Sequence, residues 1–127
     1  LGKLHAATTL EEFAHTCKER LGCDSLRMVG EGGANAHRIA VCSGSGSGAM
    51  HAAKFSGADT LVTGDLKYHE AQSAAGIGLN VIDAGHFATE IIAASGLSRT
   101  LAAEIKQRGY STEIITAPNE KDPFTFI

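Results

Sequence analysis

The chain carries little net charge, and its basic residues do not cluster. Lys and Arg number 11 against 14 Asp and Glu, which gives a formal net charge of −3. The densest basic group is Lys18-Glu19-Arg20. Nucleic acids and anionic membranes are recognised by clustered positive charge. The composition therefore disfavours nucleic acid and membrane surfaces as partners.

Long apolar runs and paired cysteines are also missing. No run approaches the roughly 20 apolar residues of a membrane helix, and the first residues do not form a charged segment followed by an apolar one, as in a secretory signal. Cys17, Cys23 and Cys42 are odd in number and fit no C-x-x-C spacing. These features predict reduced, structural thiols in a soluble cytoplasmic protein. Mitochondrial and nuclear locations stay open.

The 127 residues, 43% of them hydrophobic, predict a single domain over 1–127. A capping box of Thr9 with Glu12 and a stop at Gly22 mark the first helix. Helices are predicted at 10–21, 49–55, 67–75 and 86–108, the last with a break at 95–96, and strands at 25–29, 38–42, 59–62, 79–82 and 113–115. Segment 1–8 is interpreted as an entry segment and 30–36 as a mobile Gly-rich turn. Alternating short strands and helices predict a three-layer α/β domain of βαβ units with a largely parallel or mixed sheet.

Two blocks place acidic and imidazole side chains directly after buried strands. Asp65 and His69 follow the first strand, and His86 and Glu90 follow the second. Each pair has the i, i+4 spacing that puts two side chains on one face of a helix. The carboxyl ends of parallel strands are where open α/β sheets bind ligands. The spacing predicts that each pair shares a helix face, with Asp83 as a further ligand or an outer hydrogen-bond partner of the His86 ring.

A serine-glycine run follows the strand predicted at 38–42. Ser43, Gly44, Ser45 and Gly46 lie where a glycine-rich turn can aim backbone amides at a phosphate. Gly44, Gly46 and Ala49 approximate a dinucleotide fingerprint, with Asp65 at the distance of a ribose-binding acid. The alternative is a tight strand-to-helix connection that binds no ligand.

Four further histidines lie outside the two blocks. They are predicted to be ordinary surface or core residues: His5, His15, His37 and His51. An imidazole and a carboxylate one turn apart, as at His86 and Glu90, suit a divalent metal ion. Mixed ligands of this kind are compatible with zinc, manganese, iron or cobalt.

The two blocks, Thr63 to His69 and Asp83 to Glu90, resemble the signature motifs of the C-terminal lobe of the NGG-one-interacting-factor-three-like family of dinuclear-metal-centre proteins. The similarity extends to Thr9–Ala14, Arg38–Ser45 and Asp122-Pro123-Phe124. The resemblance implies one lobe of a two-lobe α/β fold packed over two divalent metal ions. It also implies a homo-oligomer, with a ring-shaped assembly.

The resemblance implies that His86 and Glu90 are metal ligands and that Asp65 and His69 line the same cleft. The family's other ligands include an adjacent pair of histidines in the N-terminal lobe, and this chain has no such pair. Two ions cannot be satisfied by so few ligands. We therefore expect half a site, with the rest supplied by an N-terminal lobe or a partner subunit. The first residue, Leu1, agrees with a C-terminal fragment or a separate subunit that binds metal weakly alone.

A pair of divalent ions activates water for hydrolysis of phosphoester, amide or purine-ring bonds. Asp65 or His69 is the predicted proton carrier, and the family is similar to proteins described as a second type of GTP cyclohydrolase. The serine-glycine run would then hold a triphosphate. Two alternatives are a metal-dependent scaffold without turnover, with 124–127 as a contact, and a nucleotide-binding module without metal.

Overall fold

The computed structural model describes residues 1–117 and 119–125. The strands are β1 (Gly2–Thr9), β2 (Arg27–Val29), β3 (Asn35–Ser45), β4 (Thr60–Gly64) and β5 (Asn80–Asp83). The helices are α1 (Leu10–Leu21), α2 (Met50–Phe55), α3 (Tyr68–Gly76) and α4 (His86–Gln107), with a single 3-10 turn at Ser47–Ala49 before α2.

The strands form one mixed sheet in the order β1-β3-β4-β5-β2. The three inner strands are parallel, whereas β1 and β2 pair antiparallel with β3 and β5. Because β3, β4 and β5 run in one direction, their carboxyl ends meet at one edge, and this edge carries the polar blocks. The predicted mixed α/β class is confirmed.

Helices cover both faces of the sheet and make three layers. On one face, Leu61 of β4 and Val81 of β5 pack with α2 and α3 through Met50 and Ala74. On the other face, alternate residues of the same strands, such as Val62 and Ile82, pack with residues of α1 that include Leu10 and Cys17. Near-continuous apolar runs in β4 and β5 are what burial on both faces requires.

Local signals place α1 where the sequence predicts it. The Thr9 hydroxyl accepts the Glu12 amide at 3.2 Å, and the Glu12 carboxylate accepts the Thr9 amide at 3.1 Å, so the predicted capping box is present. Gly22 ends the helix in the left-handed region at φ 65°. Inside α1, burial raises the pKa of the Cys17 thiol to about 11, in keeping with a core residue.

The sequence prediction is wrong at both ends of the chain. Of the segment 1–8, interpreted as an entry segment with no strand assigned, residues 2–8 belong to β1, which is mostly exposed and so lacks an apolar alternation that would reveal it. The segment 113–115, expected to be a strand, lies in no strand; Ile115 is 77% exposed. Strand identity depends on a pairing partner, and the two sheet edges are held by β1 and β2.

Other differences are smaller. Strand β3 runs to Ser45, so Ser43, Gly44 and Ser45 of the serine-glycine run belong to the sheet. Helix α4 is continuous through Ser95 and Gly96, where a break was expected. Among the described residues, no helix is long and apolar enough to span a membrane.

Candidate metal centre

The site begins where β4 ends and α4 starts. A side-chain carbon added at Gly64 would lie 2.6 Å from the Gly85 carbonyl oxygen and 2.8 Å from the His86 nitrogen. Only glycine therefore permits this close approach of β4 to the first residue of α4. The contact brings the residue after Gly64, Asp65, next to His86.

His86 lies between two carboxylates. Its Nδ1 is 2.7 Å from Asp65 Oδ2, and its Nε2 is 3.2 Å from Glu90 Oε2. The i, i+4 spacing of His86 and Glu90 on α4 explains the second contact. All three side chains are about half exposed, at 48%, 49% and 53% for His86, Asp65 and Glu90, so ligands can reach them.

The electrostatics of this cluster follow from its geometry. A carboxylate only accepts hydrogen bonds, so Nδ1 of His86 must donate to Asp65. This hydrogen bond, followed by the charge of Glu90, raises the pKa of His86. A raised pKa favours protonation of the ring, and an ion binding at Nε2 competes with a proton there.

The distance between Nε2 and Oε2 fits a shared metal ion. Ligand atoms about 2.0–2.2 Å from a zinc-like ion lie about 3.0–3.5 Å from each other at neighbouring coordination positions. The observed 3.2 Å falls within that range. Asp65 on the opposite ring nitrogen is the arrangement in which a carboxylate orients a metal-binding imidazole. His86 and Glu90 could thus hold one ion, and Asp65 could fix the ring that does so.

Two ligands do not complete a site. Within residues 1–117 and 119–125, no group of three or more His, Cys, Asp or Glu side chains is arranged to hold an ion. The donor set is therefore one or two protein ligands short of the three of a catalytic zinc ion or the four of a structural one.

Asp83 acts on the backbone, not on the His86 ring. Its Oδ1 accepts the Gly85 amide at 3.0 Å, and its Oδ2 accepts the Leu66 amide at 3.0 Å and a bond from Arg27. The carboxylate is 4% exposed. Asp83 thereby joins the loop after β4 to the loop after β5, and the prediction that it orients the ring is corrected.

The prediction that Asp65 and His69 share a helix face is also wrong. Asp65 precedes α3 and lies in the left-handed region at φ 55°. Its carboxylate turns to His86, whereas His69 Nδ1 is 3.0 Å from Gln72 Oε1 on the exposed side of α3. The structure brings Asp65 into the cluster and leaves His69 outside it.

The serine-glycine run lies against the cluster. A side-chain carbon added at Gly44 would lie 2.4 Å from Glu90 Oε1 and 3.1 Å from His86 Nε2. The Gly44 amide donates to Thr89 Oγ1 at 2.9 Å and the Gly46 amide to Thr63 Oγ1 at 3.0 Å. These two amides are therefore engaged within the protein, and the predicted anion site would require both bonds to open.

A groove with a volume of about 880 Å³ opens beside the cluster, within the size range of small-molecule clefts. Its polar part includes Arg27, Asp65, His86 and Glu90. Its apolar part is formed by Leu26, Phe87, Ile91, Ala94, Pro123 and Phe124. The cluster is thus accessible from a cavity that could admit a substrate.

Sequence reasoning missed Arg27, Thr63 and Thr89 as parts of this site. Thr63 and Thr89 lie inside the two signature blocks, so their positions were visible but their hydroxyl contacts were not. Arg27 reaches Asp83 across the antiparallel pairing of β2 with β5, which no local pattern reveals. The predicted tail contact at 124–127 falls partly outside the described residues; Phe124 lines the groove and is 73% exposed.

The fold and the cluster define a class of α/β protein with a groove at the carboxyl edge of a mixed sheet. The sequence matches the model of the Duf34/NIF3 (NGG1p interacting factor 3) family over residues 1–123. The chain belongs to this family, and the resemblance noted in the sequence is confirmed.

Relatives and solved structures agree with this assignment. The chain is 38% identical to the GTP cyclohydrolase 1 type 2 homolog of Bacillus subtilis (strain 168) over 127 residues, which are 100% of this chain and 34% of that protein. It is 39% identical to the homolog of the same name from Halalkalibacterium halodurans, again over 100% of this chain and 34% of that protein. The chain thus spans about a third of the length of these curated relatives.

Two solved structures share the fold closely. A Bacillus cereus protein related to NIF3 has a TM-score of 0.92 at 33% identity, covering 99% of this chain and 35% of that one. The Staphylococcus aureus protein SA1388 has a TM-score of 0.92 at 34% identity, covering 98% of this chain and 40% of that one.

Proposed function

We propose that this chain supplies half of a dinuclear divalent metal site in a metal-dependent hydrolase. The observation that carries the proposal is the His86–Glu90 pair, whose Nε2 and Oε2 lie 3.2 Å apart while Asp65 holds Nδ1 at 2.7 Å. In this proposal His86 and Glu90 bind the ion, and Asp65 orients the imidazole. A zinc, manganese, iron or cobalt ion is compatible with such a donor set.

The remaining ligands come from outside these residues. The relatives named above are about three times as long as this chain, so a second lobe of the same protein is one source. A partner subunit in a homo-oligomer is the other. Either source would close the open side of the cluster, where His86 and Glu90 are half exposed.

Divalent ions in such a site lower the pKa of bound water and stabilise charge on attacking and leaving oxygens. This chain's own residues supply the groove in which a substrate is oriented. Phosphoester, amide or purine-ring bonds are the classes that this chemistry hydrolyses. GTP is the substrate suggested by the relatives' names, and a metal-dependent scaffold without turnover is the alternative.

Metal content tests the site first. In the complete natural protein, His86→Ala and Glu90→Ala are each expected to lose bound metal, measured by elemental analysis after purification without chelator. Glu104→Ala is the matched control, because Glu104 is an exposed glutamate of the same helix whose partner is Arg108, one turn away. If both site variants retain their metal, the proposed metal centre is refuted.

Turnover tests the hydrolase separately. GTP and generic phosphodiesters are assayed with added Zn²⁺, Mn²⁺ or Fe²⁺, and the proposal expects hydrolysis that His86→Ala abolishes. If every substrate is inert while the assembly still requires the ion, the scaffold alternative replaces the hydrolase.

A further inference from the structure

Two buried threonine hydroxyls join the serine-glycine run to the metal cluster. Thr89 is 7% exposed and lies on the first turn of α4 between His86 and Glu90. Thr63 is fully buried at the end of β4. Both side chains therefore lie inside the wall of the site and have no direct access to a ligand.

Each hydroxyl is satisfied on both sides. Thr89 Oγ1 lies 2.9 Å from the carbonyl oxygens of Gly85 and His86, to which its proton can be donated, and it accepts the Gly44 amide at 2.9 Å. Thr63 Oγ1 donates to the Gly44 carbonyl at 3.2 Å and accepts the Gly46 amide at 3.0 Å. Gly44 is thus held through both its amide and its carbonyl.

The backbone of Gly44 lies against the side chain of Glu90, a proposed metal ligand. A carbon added at Gly44 would overlap Glu90 Oε1 at 2.4 Å, so the glycine backbone itself forms the surface against which the carboxylate rests. A long glutamate side chain has several accessible rotamers on an exposed helix face. A fixed surface on one side removes part of that freedom and keeps Oε2 beside His86 Nε2.

We propose that Thr89 and Thr63 are positioning residues of the metal site. They hold the backbone of Gly44 where it limits the movement of the Glu90 carboxylate. This inference rests on the proposed metal function. The serine-glycine run then has a role that differs from phosphate binding. The amides of Gly44 and Gly46 bond to the two threonines, and the absence of a side chain at Gly44 leaves room for the Glu90 carboxylate. Outer contacts of this kind change metal affinity by about 10- to 100-fold when removed.

The test is a Co²⁺ titration of the complete natural protein, followed by visible absorption. Thr89→Val preserves the shape of the side chain and removes the hydroxyl, so it is expected to weaken Co²⁺ binding by about 10- to 100-fold and to shift the absorption bands. Thr89→Ser keeps the hydroxyl and is expected to restore both. A purely structural role would not move the bands of a folded protein.

Thr60→Val is the matched control. Thr60 is a fully buried threonine of the same strand as Thr63, and its hydroxyl bonds to Asp59 away from the cluster. It should lose stability but keep Co²⁺ affinity and spectrum. If Thr89→Val binds Co²⁺ like the parent protein, the positioning role is refuted.

Gly44→Ala provides a second test should Thr89→Val fail to fold. It leaves both hydroxyls in place and inserts a carbon against Glu90, so unchanged Co²⁺ affinity and spectrum would equally overturn the inference. His86→Ala is titrated in the same series. If His86→Ala still binds Co²⁺, the metal site itself is refuted. If His86→Ala loses Co²⁺ binding while Thr89→Val binds like the parent protein, only the positioning role of the threonines is refuted.

Discussion

Replacing Asp83 by asparagine should cost more stability than its conservative appearance suggests. The carboxylate is 4% exposed and accepts three bonds, from the amides of Leu66 and Gly85 and from Arg27. An asparagine keeps one acceptor oxygen and offers an NH₂ group in place of the other. Whichever way the amide turns, at least one of the two backbone amides then faces a donor, either that of buried Leu66 or that of part-buried Gly85.

The expected loss follows from these contacts. A buried amide left without an acceptor costs about 1–3 kcal/mol. The Arg27 pair adds at most about 1 kcal/mol, since the arginine side chain is 69% exposed and water screens it. We therefore expect Asp83→Asn to lower the free energy of unfolding by about 1–4 kcal/mol, a sizeable part of the about 5–15 kcal/mol of a typical domain.

The assay is equilibrium urea unfolding followed by circular dichroism, with equal slopes required for the comparison. Asp24→Asn is the control, because Asp24 is exposed in the loop before β2; it should change stability by less than about 0.5 kcal/mol. If the two variants prove equally stable, Asp83 does not hold the two loops together in the way its contacts indicate.

The remaining predictions concern charge and helix capping. In the metal-free protein, Asp65→Asn should lower the raised pKa of His86, observed by NMR titration, because the largest cause of the shift is removed. The stabilisation from protonated His86 is complete below its unfolded pKa of about 6.5 and is lost as pH rises through the higher folded value. Asp65→Asn should therefore lower the free energy of unfolding more at about pH 6 than at about pH 9. Equal losses at the two pH values would contradict this prediction. Thr9→Ala removes the N-cap of α1 and should lower the free energy of unfolding in urea by about 1 kcal/mol. Thr100→Ala, on the exposed face of α4, removes no cap and should not show this loss. A Thr9→Ala protein as stable as the parent would show that Glu12 alone can cap the helix.

Much of the candidate site could be predicted because its decisive spacing is local. His86 and Glu90 are four residues apart on a helix, and a helix places such residues on one face wherever it packs. The Asp65 contact could not be predicted in the same way, since Asp65 and His86 are 21 residues apart and meet only because β4 and β5 are neighbours in the sheet. The i, i+4 reading of Asp65 with His69 was wrong because α3 begins after Asp65.

By itself, the sequence determined the helix boundaries marked by caps, the buried strands β4 and β5, the family and the His86–Glu90 pair. These features depend on hydrogen bonds and spacings within a few residues, or on motifs that can be recognised from the order of the residues alone. Only the tertiary structure decided that 2–9 is an edge strand, that 113–115 is not a strand, and that the Asp83 carboxylate accepts backbone amides. It alone decided that the hydroxyls of Thr63 and Thr89 form hydrogen bonds to the backbone of Gly44 beside Glu90. Strand pairing and buried side-chain contacts join distant residues, and their geometry is fixed only when the sheet and its helices pack together.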